Sequence, residues 1–196
     1  FSFTKHLMWR DLENNSQALL QNDVVRHLVD TPTEKFSQEG DFPSLEELDE
    51  VQKEAEVYCP LDADSSQLAA VIAAEKDMTF VLEGPPGTGK SQTIANLMAH
   101  CLALGKRVLF VSEKMAALNV VYNRLANIGL QPFCLELHSN KVRKQHVLEQ
   151  LRLALDNCAV KEPKNWKKKV KKLLQLRNDL NTYVEAIHKT RSIGKS

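Results

Sequence analysis

The sequence has no apolar run long enough to span a bilayer. The longest, Leu68 to Ala74, is seven residues, against the ~20 that a spanning helix needs. It also lacks a charged start followed by an apolar stretch and a small-residue cleavage site, the pattern of a secretory leader. These absences predict a soluble protein of cytoplasmic location with no membrane contact. Its four cysteines, Cys59, Cys101, Cys134 and Cys158, lie far apart. There is no CxxC pair and no His at zinc-ligand spacing, so buried reduced thiols are expected rather than a metal site or a disulfide framework. An initiator Met is missing too. The chain opens on "FSFTKHLMWRDL" and closes on "RSIGKS", which predicts a segment of a larger protein. The closing Gly194 to Ser196 repeats three letters of a phosphate motif without the upstream glycine or strand that would give them meaning.

What is present begins with size: 196 residues, 43% of them hydrophobic, suffice for one good core and an appended element. The net charge of +1 hides a division. Residues 1–80 carry 6 basic and 17 acidic side chains, and residues 81–196 carry 20 basic and 8 acidic. A positive half suits a polyphosphate ligand or a nucleic-acid backbone. A solvated surface of uneven charge is the plainer alternative.

Three regions follow from the patterning. Residues 1–60 form an N-terminal helical and linker segment. Leu12, Leu19, Leu20, Val24, Val25 and Leu28 predict a helix over 12–30 that ends before Thr31-Pro32. The polar stretch "TPTEKFSQEGDFPS" reads as a linker, and Ser44 with Glu47 offers a capping box for an acidic helix near 45–56. Residues 61–142 alternate short apolar runs with amphipathic stretches. The expected order is a helix near 65–76, a strand "TFVLE", a helix from Lys90 to Leu104, a strand "RVLFVS", a helix near 114–127 closed by Gly129, and a strand "PFCLELH". Strands joined by helices predict an α/β class with a parallel sheet flanked by helices. Residues 143–196 read as a helical arm with a break at Glu162-Pro163. Trp166, Val170, Leu173, Arg177, Leu180, Val184 and Ile187 recur at spacings of 4 and 3, a coiled-coil-like seam. It predicts one arm of a hairpin whose returning arm lies beyond Ser196; a helix packed on the preceding domain is the competing reading.

The stretch "FVLEGPPGTGKSQT" carries the sharpest chemistry. Gly84, Gly89, Lys90 and Ser91 fit G-x-x-x-x-G-K-[ST], with a predicted strand before and a helix after. The glycines allow backbone N–H groups to turn inward on phosphate oxygens. The loop then enters a helix N-terminus, where unpaired donors and the macrodipole favour anions. Candidate nucleotide-binding residues are therefore Gly84, Pro85, Pro86, Gly87, Thr88, Gly89, Lys90, Ser91 and Gln92. Lys90 is the catalytic candidate, reaching the β and γ phosphates, and Ser91 is the magnesium ligand. Seventeen residues upstream of Gly84, Gln67 lies on the predicted helix near 65–76. Its amide presents a donor and an acceptor together, as the N6/N7 edge of adenine requires.

With Gln67 added, the segment from Leu61 to about Asn140 resembles the first RecA-like domain of superfamily 1 helicases, in particular the branch of the nonsense-mediated-decay RNA helicase. The whole chain looks like part of large bacterial helicase-related ATPases. "LDADSSQLAAV" is similar to the Q motif, "GPPGTGKSQT" to motif I and "RVLFVSEKMAALNVV" to motif Ia. The resemblance implies nucleic-acid-backbone contacts at Ser112 and Lys114, more weakly at Asn119. A next nucleic-acid-facing loop would hold Ser139, Asn140 and Lys141, with His138 beside it read as structural. A Ser N-cap beside a surface Lys is an equally ordinary account of Ser112 and Lys114. The seven lysines from Lys161 to Lys172 are open in the same way to a nucleic-acid backbone or to plain solvation.

One piece of ATP chemistry is missing. Hydrolysis needs an acidic pair after a strand to hold magnesium and orient water, and no two acidic residues adjoin one another after Ser91. Glu136 alternates with apolar residues and lacks a preceding Asp, and "SLEELDE" precedes the loop. The resemblance implies that this motif and a second RecA-like domain follow the helical arm. The expectation is thus an ATP- and magnesium-binding part of a nucleic-acid-dependent ATPase, unable to hydrolyse alone. Its partners would be single-stranded DNA or RNA and the remaining helicase domains of the same protein. An AAA+ ATPase is the alternative, although that class expects an apolar strand ending in Asp-Glu and no upstream Gln. A third reading is a nonenzymatic scaffold that presents the arm to a protein partner.

Overall fold

The computed structural model describes residues 3–38, 40–44, 48, 57–85, 87–137, 144–157 and 165–189. The chain divides into two units, Phe1–Asp41 and Phe42–Ser196. In the first, the single helix expected over 12–30 is two: α1 (Phe3–Leu19) and α2 (Asp23–Asp30). The break has a local cause. Asn22 Oδ1 accepts the N–H groups of Val24 and Val25 at 3.1 and 3.2 Å, satisfying two donors that a helix start leaves open. The second unit holds α3 (Ser65–Glu75), α4 (Lys90–Ala103), α5 (Met115–Asn127), a 3-10 turn (Gln131–Phe133), α6 (Lys144–Asp156) and α7 (Trp166–His188). The acidic helix expected near 45–56 lies outside the described residues except for Leu48, which is helical and buried. The Glu162-Pro163 break lies outside them altogether.

α3 packs on α4, and α4 on α5. Small residues allow the close approach: α3 buries the continuous run Ala69 to Ala73, and α4 buries Ala95 and Ala99. One cluster joins Leu48, Ala69 and Ile72. A second joins Ala95, Val121 and Leu125, with Leu61, Phe110, Ile128 and Cys134 at its margin. Glycines close α4 and α5. Gly105 and Gly129 are left-handed, and the next N–H in each case reaches back five residues, Lys106 to Cys101 O and Leu130 to Leu125 O, both at 2.8 Å. Lys106 also seals the end of α3, its ammonium donating to Glu75 O and pairing with Asp77 at 2.6 Å, where a cation complements the helix macrodipole.

The expected parallel sheet is not formed: among the described residues there is no strand and no sheet. "TFVLE" and "RVLFVS" have no regular secondary structure, and "PFCLELH" begins inside the 3-10 turn. Strand-like alternation survives without pairing. Phe110 packs on the core, while its neighbours Leu109 and Val111 are 86% and 77% exposed, as is Val81 at 83%. A parallel sheet is buried on both faces, and here the helices cover one side of these segments only. Propensity and apolar alternation favour an extended backbone, but a strand also requires a neighbour to accept its hydrogen bonds.

The seam expected along α7 is displaced as well. Leu173, Leu180, Val184 and Ile187 are exposed, while Val170 and Arg177 of the expected seam are half-buried, joined by Leu174 and Asn181. No helix among the described residues is long and apolar enough to cross a membrane.

Candidate phosphate-loop site

The loop from Gly84 to Gly89 is shaped by its glycines. Gly87 and Gly89 have φ of +92° and +81°, a region that side-chain-bearing residues rarely adopt. Gly84 is required for space, since a Cβ there would lie 2.6 Å from Thr88 Oγ1. Gly89 is the N-cap of α4 and has no side chain to cap it. The first N–H groups of α4 therefore meet no capping side-chain oxygen, the condition in which a helix start favours an anion. Thr88 Oγ1 and Lys90 Nζ both donate to Pro85 O at 2.9 Å, which folds the Lys90 ammonium over the loop. An ammonium has three donors, so the carbonyl does not exhaust it. Ser91 sits in the first helical turn, half-buried. Pro86 lies outside the described residues.

Gln67 is brought to this loop from 21 residues away. Its Nε2 donates to Thr88 O at 3.3 Å, and a Cβ on Gly89 would come within 2.5 Å of the same nitrogen. Glycine at 89 thus serves two needs, a left-handed turn and room for the Gln67 amide. Local chemistry fixes where α3 starts. Asp64 Oδ1 accepts the Gln67 N–H at 2.8 Å and the Ser66 hydroxyl at 2.6 Å, an N-cap. These two bonds, the Ser66 hydroxyl first, hold the Asp64 carboxyl below the usual aspartate range.

The other predicted residues fall elsewhere. The Gln92 amide donates to Asp62 O, away from the loop's concavity. Ser112 Oγ lies 3.4 Å from both Lys114 N and Lys114 O, a hydroxyl closing the turn into α5, and Lys114 and Asn119 are exposed. His138, Ser139, Asn140 and Lys141 lie outside the described residues. Glu136 is engaged with α6: Gln150 Nε2 donates to its Oε2 at 3.2 Å, its own N–H donates to Gln150 Oε1 at 3.1 Å, and His146 Nε2 is 3.6 Å away. A cleft of about 310 Å³, lined by Leu102, Phe110, Tyr122, Phe133 and Cys134 among others, opens between α4, α5 and the segments that follow them. It includes no residue of the phosphate loop. Burial pushes the Cys59 thiol up to about 11 and raises Cys101 and Cys134, so these free thiols carry little thiolate.

One feature of α4 escaped the sequence reading. Its buried polar residues Thr93, Asn96 and His100 interrupt an otherwise apolar face. Asn96 pairs with both backbone groups of Leu61, accepting its N–H at 3.0 Å and donating to its carbonyl at 2.9 Å.

The residues present fit a bound polyphosphate: a loop turned by two left-handed glycines, a helix start without a side-chain cap and an ammonium hydrogen-bonded to the loop. Comparison with known proteins gives the same direction. Over 48 residues, a quarter of this chain, the sequence is 60% identical to the "uncharacterized ATP-dependent helicase MG140" of Mycoplasma genitalium. Over 51 residues it is 57% identical to that protein's homolog in Mycoplasma pneumoniae. The matched stretches span 4% and 5% of those relatives. No solved structure matches the chain significantly. A family model described as an AAA domain (AAA_11) matches residues 62–195, from the segment ahead of Gln67 through the phosphate loop and α7, and the chain belongs to that family.

Proposed function

We propose that this chain is the ATP- and magnesium-binding part of a superfamily 1 helicase-like ATPase that acts on single-stranded nucleic acid. The observation that carries the reading is the Gln67 amide hydrogen-bonded to the phosphate loop at Thr88 O, a side chain with both a donor and an acceptor, which supports an adenine contact beside the loop. The names of the two Mycoplasma relatives, both ATP-dependent helicases, support the same class. Gly84 to Gly89 and the start of α4 would hold the phosphates. Lys90 would turn from Pro85 O to the β and γ oxygens, and Ser91 would ligate magnesium. Bound magnesium offsets the charge of the phosphates. Exposed Lys114, with the lysines at the start of α7, supplies positive charge for a nucleic-acid backbone.

Hydrolysis is assigned to residues contributed from outside this chain. After Ser91 no two acidic residues are adjacent in the sequence, and Glu136 is held by Gln150 and His146. Calorimetry with MgATP tests the reading. Binding is expected for the wild type, loss of about a hundredfold or more in affinity for Lys90→Ala, where a charge-assisted phosphate contact goes, and a smaller loss for Gln67→Ala. Turnover of ATP by this chain alone, abolished in Lys90→Ala, would overturn the assignment of hydrolysis. The family's description as an AAA domain favours a second reading, an AAA+ ATPase. MgATP affinity unchanged in Gln67→Ala selects it.

A further inference from the structure

Gln92, Asn96 and His100 lie four residues apart, so one face of α4 carries all three. Each holds a backbone group of the segment that leads into α3. The Gln92 amide donates to Asp62 O. Asn96 takes both the N–H and the carbonyl of Leu61. His100 Nδ1 accepts the Tyr58 N–H at 3.2 Å, which places the proton on Nε2, 3.0 Å from Glu75 Oε2. Residues 58–62 therefore run antiparallel to α4, pinned at three points. Asn96 and His100 are fully buried, so their bonds to Leu61 and Tyr58 are not exchanged with water at low cost. The Tyr58 ring also stacks on Trp166 at 6.4 Å.

Two residues after Asp62 comes Asp64, whose side chain caps α3 at the Gln67 N–H. α4 thus grips the residues just ahead of the cap that starts α3, and with them the backbone from which Gln67 reaches the phosphate loop. The bond from Gln67 to Thr88 O is, at 3.3 Å, the longest in this chain of contacts from α4 to the loop; it holds Gln67 only if the start of α3 is held already.

We propose that Asn96 and His100, with Gln92, are positioning residues for base selection: they place Gln67 against the base of a bound nucleotide while taking no part in phosphate binding through the loop. This rests on the reading of Gln67 as the adenine contact. The test measures affinities of the full-length protein for MgATP, MgGTP and magnesium tripolyphosphate. Asn96→Ala is expected to reduce the ATP-over-GTP preference about fivefold or more, the scale of a misplaced hydrogen-bond pair to a base, and to leave tripolyphosphate affinity within about twofold. Combining it with Gln67→Ala should cost no further preference. Loss of tripolyphosphate affinity in step with ATP affinity would mean that Asn96 only holds the fold, and would overturn the proposal. A preference that collapses in Gln67→Ala and persists in Asn96→Ala overturns the positioning role alone. A preference untouched by Gln67→Ala overturns the adenine reading and the positioning role with it. Should Asn96→Ala fail to fold, hydrogen exchange on the wild type decides: MgATP must slow exchange at the Tyr58 and Leu61 amides more than magnesium tripolyphosphate does, and equal slowing by the two overturns the proposal.

Discussion

Helices α4 and α7 are the two amphipathic helices that a sequence reader would trust most, and they behave in opposite ways. α4 has 14 residues and buries six of them. α7 has 23 and buries none. α4 is held by neighbours on several sides: α3, α5 and the segment pinned at Leu61. α7 is rich in Lys and Leu, good helix formers by themselves, and its outward leucines face solvent. The pair shows that periodicity reports a capacity for burial, while burial itself depends on whether a partner element reaches that face.

The largest effect that would sharpen this contrast is in the core beneath α4. Leu125 is 2% exposed and packs with Ala95 and Val121. Leu125→Ala is expected to destabilise by about 2–5 kcal/mol, the transfer and cavity cost of a buried leucine, read by urea unfolding. A shift under about 1 kcal/mol would show this core to be loosely packed. Next comes Gly89→Ala. A left-handed position at φ +81° costs a side-chain-bearing residue roughly 1–2 kcal/mol. The added Cβ would also press on Gln67 Nε2, so MgATP affinity should fall together with stability. If calorimetry finds affinity intact, Gln67 has room to move and the close approach at residue 89 is incidental.

Asp64→Ala should act more weakly and with a defined pH dependence. The folded-state carboxyl is held below its usual range by the Ser66 and Gln67 bonds, so its contribution is present in full above the unfolded value and is lost as pH falls through the folded one. The thermal midpoint of Asp64→Ala should lie below that of the wild type at neutral pH. The gap should close on acidification below the usual aspartate range. A gap that stays constant with pH would show that the cap does not depend on the charge of Asp64.

The same contrast explains what could be read in advance. Local signals were reliable for local features: the helix starts at Ser65 and Lys90, the glycine closures after α4 and α5, and the cradle formed by Gly84, Gly87 and Gly89. The nearness of Gln67 to the loop was also legible, from its fixed distance ahead of the glycines, and its amide meets Thr88 O. The sheet was misjudged for a physical reason. "TFVLE" and "RVLFVS" carry β-propensity, but pairing is a tertiary property, and Val81, Leu109 and Val111 remain exposed instead. The grip of α4 on Leu61 was missed for a related reason. Asn96 and His100 belong to no sequence motif, and their partners lie 35 and 42 residues upstream, at a range that no local pattern encodes.

The smallest expected effect bears most directly on the comparison. Leu180 is central to the seam of α7 yet 64% exposed. Truncating an exposed side chain outside caps and cores changes stability by no more than about 0.5 kcal/mol, and alanine has the highest helix propensity of all residues. Leu180→Ala should therefore leave the unfolding midpoint of the chain unchanged and its far-UV helicity equal or slightly higher. A loss on the scale of Leu125→Ala would require the seam to be buried in solution. α7 would then stand with α4 as a packed helix, and the half-buried stripe through Val170, Leu174, Arg177 and Asn181 would no longer describe how it meets the rest of the chain.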